Sequence, residues 1–249
     1  MIRLGVLVPF SNTILEPDLA RLMPPGVSIH PARLGGYDLD AVPDSAQMAG
    51  LGAADLDEPL RLVAGVRPHM VLYGCTSATL AHGIAFDVEL AAQVQDRIGV
   101  PSVTAAGSVV MALRTLGVRQ IGFASPYVAE LNDRAVAFLS DAGFATVSRA
   151  DVGRTLGNDE QCALTPEEIM ALGHQADSSA AEAIVLSCTD MRSVEALEPL
   201  EAALGKPVIT SNQAMAYAVL STLGLGSGAV GGRLLSRLSA RTAPGADRR

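Results

Sequence analysis

Two cysteines close apolar runs of the same shape, Val71-Leu72-Tyr73-Gly74-Cys75-Thr76-Ser77 and Ile184-Val185-Leu186-Ser187-Cys188-Thr189-Asp190. Such runs read as buried parallel strands, and the carboxyl ends of those strands are where α/β proteins place reactive groups. The thiolate is the reactive form of cysteine, and amide N–H groups at a helix start lower its pKa. Gly74 to Thr79 is a turn of small residues that lets amides approach a sulfur or a carboxylate, and Cys188-Thr189-Asp190 offers the same geometry. One thiol can then attack or deprotonate while the other gives or takes a proton. A lone cysteine is ordinarily a small buried hydrophobe. Two at equivalent strand ends, each followed by threonine, point instead to a matched catalytic pair, Cys75 and Cys188. Cys162 has no such counterpart and is read as incidental.

The elements that position the pair repeat in order. Gly5-Val6-Leu7-Val8-Pro9-Phe10 returns as Gly122-Phe123-Ala124-Ser125-Pro126-Tyr127, each leading into a segment with an acidic residue, Glu16 or Asp133. Gly99-Val100-Pro101 returns as Gly205-Lys206-Pro207, and Thr115-Leu116-Gly117 as Thr222-Leu223-Gly224. A repeat this long implies two similar lobes rather than a solenoid. The expected fold is α/β, with two lobes related by an approximate two-fold axis, mostly parallel sheets and a site in the cleft between them. Residues 1–105 with 212–239 are assigned to the first lobe, 106–211 to the second and 240–249 to a frayed tail.

Composition narrows the function. Of 249 residues, 49% are hydrophobic but only 4% aromatic, so packing must rest on Ala, Val, Leu and Ile, and binding by aromatic stacking is disfavoured. A net charge of −8 without a basic stripe argues against nucleic acid and against an anionic membrane surface as partners. An anionic small substrate then needs backbone amides or hydroxyls. Pro9 and the polar residues after it interrupt the first apolar run too early for a signal-peptide core, and no run reaches the roughly 20 apolar residues of a membrane span. A cytoplasmic protein with reduced thiols is expected. The histidines, His30, His69, His82 and His174, lack metal-ligand spacing with the cysteines, and no dinucleotide or phosphate-loop fingerprint follows the first strand. Chemistry without metal or cofactor is the economical expectation, and His82 is read as a solvated helix residue.

In chain order, Ile2–Val8 is predicted as the first strand, and Ser11, Asn12 and Thr13 as helix caps or anion ligands. Val27–Pro31 is a strand followed by a glycine-rich connection through Tyr37. Asp44–Val66 is helical, with breaks expected near Gly52 and Pro59. Strands follow at 70–74, 101–104, 120–124, 145–149, 183–187 and 207–210. Helices are placed at 83–98, 107–116, from Pro126-Tyr127 towards Ala142, from Thr165 onwards, and at 193–204 and 212–223. Thr165-Pro166-Glu167-Glu168 is a capping box with proline at the first helical position. Asp151–Gln161 is read as a long functional loop.

The two cysteines, the duplicated lobes and Pro9-Phe10-Ser11-Asn12-Thr13 with Glu16 resemble the aspartate/glutamate racemase superfamily, and within it the branch of maleate cis-trans isomerases and arylmalonate decarboxylases. The resemblance covers the chain to about Gly232. It implies that Cys75 adds to a substrate double bond and Cys188 acts as acid/base. It assigns carboxylate binding to Asn12, Tyr127 and Asn158, and an oxyanion pocket to Thr76 and Ser77, with Ser11 and Thr189 beside them. The decarboxylases of this branch have glycine where Cys75 stands, so Cys75 favours isomerisation of a small dicarboxylate over decarboxylation. Amino-acid racemases of the superfamily also use two opposed cysteines and remain the alternative. A carboxylate-binding protein without activity is the non-enzymatic one, and a homo-oligomer is left open. Asp190 is either a partner for a substrate ammonium, or a residue that points away into solvent or pairs with Arg192.

Overall fold

The computed structural model describes residues 1–228 and 230–238. The expected tail at 240–249 lies outside them. The first half runs β1 (Ile2–Pro9), α1 (Leu15–Leu22), β2 (Val27–Leu34), α2 (Ser45–Gly52), α3 (Asp57–Ala64), β3 (Met70–Tyr73), α4 (Thr76–Leu80), α5 (Ile84–Ile98), β4 (Ser102–Thr104) and α6 (Ala105–Leu116). The second runs β5 (Gln120–Ser125), α7 (Ala129–Asp141), β6 (Ala145–Asp151), α8 (Asn158–Ala163), α9 (Pro166–Ala176), β7 (Ala183–Leu186), α10 (Ser193–Leu204), β8 (Val208–Thr210), α11 (Ser211–Leu223) and α12 (Gly232–Leu235).

Each half forms one four-stranded sheet, ordered β2-β1-β3-β4 and β6-β5-β7-β8. The two orders superpose element for element on the sequence repeat. All recorded strand pairings are parallel. Parallel sheets need cover on both faces, which is why the central strands β3 and β7 are apolar and wholly buried. The caps repeat as well. Thr104 accepts from the Gly107 amide at 2.9 Å to start α6, and Thr210 accepts from the Gln213 amide at 3.0 Å to start α11. Both helices end on a left-handed glycine, Gly117 and Gly224. The two helices pack on each other, and α11 also packs on α1 of the first lobe.

The glycine that opens each repeat has a steric cause. A Cβ on Gly5 would lie 2.5 Å from Cγ1 of Val63 in α3, and one on Gly122 would lie 2.1 Å from the carbonyl oxygen of Ala176 in α9. A side chain can turn aside, but a helix backbone cannot. Gly122→Ala is therefore expected to lower unfolding free energy by about 3 kcal/mol, measured by urea denaturation. A loss below half that would show that α9 shifts freely.

Four local expectations differ from the structure, and the first is the break expected near Pro59, which instead lies in the first turn of α3. β2 continues through Arg33 and Leu34, because β1 offers partners as far as Pro9. The helix expected from Pro126-Tyr127 starts at Ala129, since Tyr127 is held in a turn by Ser125 Oγ, which accepts its N–H at 3.1 Å. The long loop 151–161 contains the start of α8, where Glu160 reaches back to accept from the Gly157 amide at 2.9 Å.

Candidate active site

Cys75 follows β3 in extended conformation and stands at the start of α4. Cys188 follows β7 in the equivalent place. Each thiol loop is tied to the neighbouring strand in the same way: the Gly74 amide donates to Leu7 O at 2.7 Å, and the Ser187 amide to Ala124 O at 2.8 Å. The threonine after each cysteine then crosses between lobes. Thr76 Oγ1 donates to Ser211 Oγ at 2.9 Å, and Ser211 Oγ accepts from the Cys188 amide at 3.3 Å. Thr189 Oγ1 donates to Gly74 O at 3.0 Å and accepts from Asn12 Nδ2 at 3.0 Å. This reciprocal exchange gives a physical reason for the repeated Cys-Thr pair, because each threonine anchors the other lobe's thiol loop.

Both sulfurs line one cleft that encloses about 430 Å³ including its open mouth. Its other walls come from Ser11, Asn12, Ser77, Tyr127, Asn158 and Thr189, and from Asp190. Thr76 is the one expected binding residue outside the lining, since its hydroxyl faces the lobe seam. Asn12 Oδ1 accepts from the Ile14 and Leu15 amides, so its side chain caps α1 as well as lining the cleft. Ser11 Oγ donates to Asn158 Oδ1 at 3.3 Å, and Tyr127 Oη lies 3.3 Å from Ser187 Oγ.

The two thiols are not electrostatically alike. Burial raises the pKa of both. At Cys75 burial and the Asp190 carboxylate hold the thiol up, while the Ser77 hydroxyl, 3.6 Å away, and the Ser77 and Ala78 amides favour the thiolate and offset part of that rise. At Cys188 the Asp190 carboxylate adds to burial, and Sγ donates to Gln161 Oε1 at 3.6 Å. Both thiols are thus held protonated by burial, with more hydrogen-bond donors at Cys75 to favour its thiolate. Asp190, pushed up to about 6 by burial, accepts from the Thr13 and Ile14 amides at 2.8 and 3.2 Å. The expected Asp190–Arg192 pairing does not form; Arg192 bonds Glu195 at 2.9 Å.

Cys162 and His82 stay outside the cleft lining. Cys162 donates to Asp159 O at 3.2 Å, and exposed His82 stacks on Phe86 with ring centres 4.0 Å apart. Among the described residues, no three His, Cys, Asp or Glu side chains cluster so as to hold a metal ion. No helix there is long and apolar enough to cross a membrane.

The arylmalonate decarboxylase family model matches residues 6–235. This chain belongs to that family. It is 30% identical to a maleate isomerase of Nocardia farcinica over 97% of this chain and 98% of the relative. It is 28% identical to an arylmalonate decarboxylase of Bordetella bronchiseptica over 85% and 86% of the two chains. A solved structure of the Nocardia farcinica maleate cis-trans isomerase, a cysteine-to-serine variant with a covalently bound succinylcysteine intermediate, aligns with TM-score 0.84 and 25% identity. That alignment covers 94% of this chain and 98% of the other.

Within the family frame, several lining residues escaped the sequence reading. Tyr37, from the glycine-rich connection, donates to Asn158 Oδ1 at 2.8 Å and packs edge-on against Phe10. Met48 Sδ accepts from Ser77 Oγ at 3.0 Å, and Gln161 faces Cys188. The one available signal was Tyr37 itself, an aromatic residue in a polar connection of a chain with few aromatics.

Proposed function

We propose that this protein is a cofactor-independent cis-trans isomerase of a small dicarboxylate, of the maleate-to-fumarate type. The observation that carries this is the pair of inequivalent thiols, from repeat-related strand ends, on one cleft. The Cys75 thiolate adds to one alkene carbon, and the π electrons move to the other, where they are stabilised by the adjacent carboxyl group. Cys188 delivers a proton there, giving a succinyl adduct whose central bond is single and rotates. Cys188 then takes a proton back, the C–S bond breaks, and the trans alkene leaves with Cys75 again a thiolate. No net oxidation or reduction occurs. The relative's succinylcysteine supports this sequence of bonds. Amides of Ser77 and Ala78 and the side chains of Asn12, Tyr127 and Asn158 are assigned to the carboxylate ends.

A racemase is the second reading, favoured by Asp190 in the cleft wall, which suits an ammonium group. Proton NMR in deuterated water separates the possibilities. Fumarate forming from maleate is the expected result. Deuterium entering the α-position of aspartate or glutamate with maleate untouched would replace the isomerase by the racemase, and carbon dioxide loss from phenylmalonate alone would replace it by the decarboxylase.

A further inference from the structure

The cleft has an unusual charge balance for a site that takes a dianion. Among the described residues its lining contains no Lys, Arg or His, and its one carboxylate is Asp190. The nearby cation, Arg33, sits behind the loop rather than in the cleft. Its guanidinium donates to Asn12 O at 2.6 Å and to Pro9 O at 3.3 Å, and pairs with Glu16. Asp190 is held by the Thr13 and Ile14 amides, both on Oδ1. Among the described residues Oδ2 accepts no hydrogen bond from the protein, and Asp190 belongs to the cleft lining. A second substrate carboxylate there would meet a like charge in a partly desolvated wall.

We infer that the substrate end facing Asp190 carries N–H donors rather than a second carboxylate. Resting on the isomerase reading, this makes the preferred substrate a monoamide of a small cis-enedioic acid. Asp190 Oδ2 accepts from the amide N–H, while the cleft's amides and hydroxyls hold the remaining carboxylate. The chemistry is also better served. When Cys75 adds to the alkene, the displaced electron pair moves towards a neutral amide carbonyl, a better acceptor than an ionised carboxylate. The amide itself is neither made nor broken, and elimination restores the alkene and the thiolate.

Binding of saturated analogues tests this without requiring turnover. Isothermal titration at pH 8 with succinamate and succinate is expected to show succinamate at least 10-fold tighter in the wild type. Asp190→Asn keeps a carbonyl oxygen for the Thr13 and Ile14 amides but presents N–H to the cleft, so the preference is expected to vanish or reverse. Succinate binding as tightly as succinamate to the wild type would overturn the inference, as would binding of neither. Should Asp190→Asn fail to fold, the wild-type ratio decides alone. Succinamate preference without any cis-trans turnover of maleamate or maleate would remove the isomerase reading and leave the selectivity of Asp190 standing.

Discussion

Cys75→Ala is expected to abolish maleate isomerisation, with kcat reduced by about 10⁴-fold or more while the fold is retained. The other thiol in the cleft, Cys188, comes from the opposite lobe and is assigned to the proton, so loss of the Cys75 sulfur removes the pathway rather than slowing one step. Cys75 is 4% exposed and flanked by small residues, and removing one sulfur leaves a small void that α4 tolerates. Circular dichroism and urea midpoint should therefore stay near those of the wild type, which separates loss of chemistry from loss of structure. The pH profile supplies a second readout. The thiolate is the active form and burial raises the Cys75 pKa, so kcat/KM is expected to be still rising with pH at 9, above a free thiol's roughly 8.5. A residual rate within tenfold of wild type would remove Cys75 from the covalent role.

Cys188→Ser is expected to lower kcat by about 10²- to 10⁴-fold, the usual range for a positioned acid/base group, with KM lowered as well because the covalent adduct accumulates. A serine hydroxyl fills the same space and can still donate to Gln161, but it does not exchange a proton with carbon at neutral pH. The asymmetry between the thiols predicts where the reaction stops. With Cys75 intact, addition proceeds, water supplies the proton that Cys188 would have delivered, and no base in the cleft takes it back, so about one enzyme equivalent of substrate is consumed before slow turnover takes over. Steady-state and single-turnover kinetics of the two variants distinguish the roles: Cys75→Ala shows neither phase, and Cys188→Ser shows the first alone. Identical behaviour of both would fit a symmetric proton exchange between two acid/base thiols instead.

The parts of this site legible in the sequence were those set by local rules. A buried parallel strand must be apolar and must end somewhere, so Cys75 and Cys188 announced themselves at the ends of β3 and β7. Thr165 announced its helix through a capping box. What could not be read came from contacts between distant segments. Thr76 looks like an oxyanion donor in sequence, but Ser211, 135 residues away, takes its hydroxyl. Asp190 could be read either as a site carboxylate or as an outward-facing residue, and it is the amides at the start of α1 that place it in the cleft wall. Tyr37 belongs to a segment without periodicity, and its place is fixed by Asn158 in the other lobe. Lobe-to-lobe hydrogen bonds decide such positions, and no window along one chain contains both partners.

In the proposed reaction Cys75 bonds covalently to an alkene carbon while Cys188 handles the proton. Intact-protein mass spectrometry of Cys188→Ser after incubation with maleate, followed by peptide mapping, tests it most directly. The expected result is a protein heavier by the mass of one maleic acid, with the addition on Cys75 and absent from the Cys75→Ala/Cys188→Ser double variant. An unmodified Cys75 in a protein whose wild type converts maleate to fumarate would contradict it.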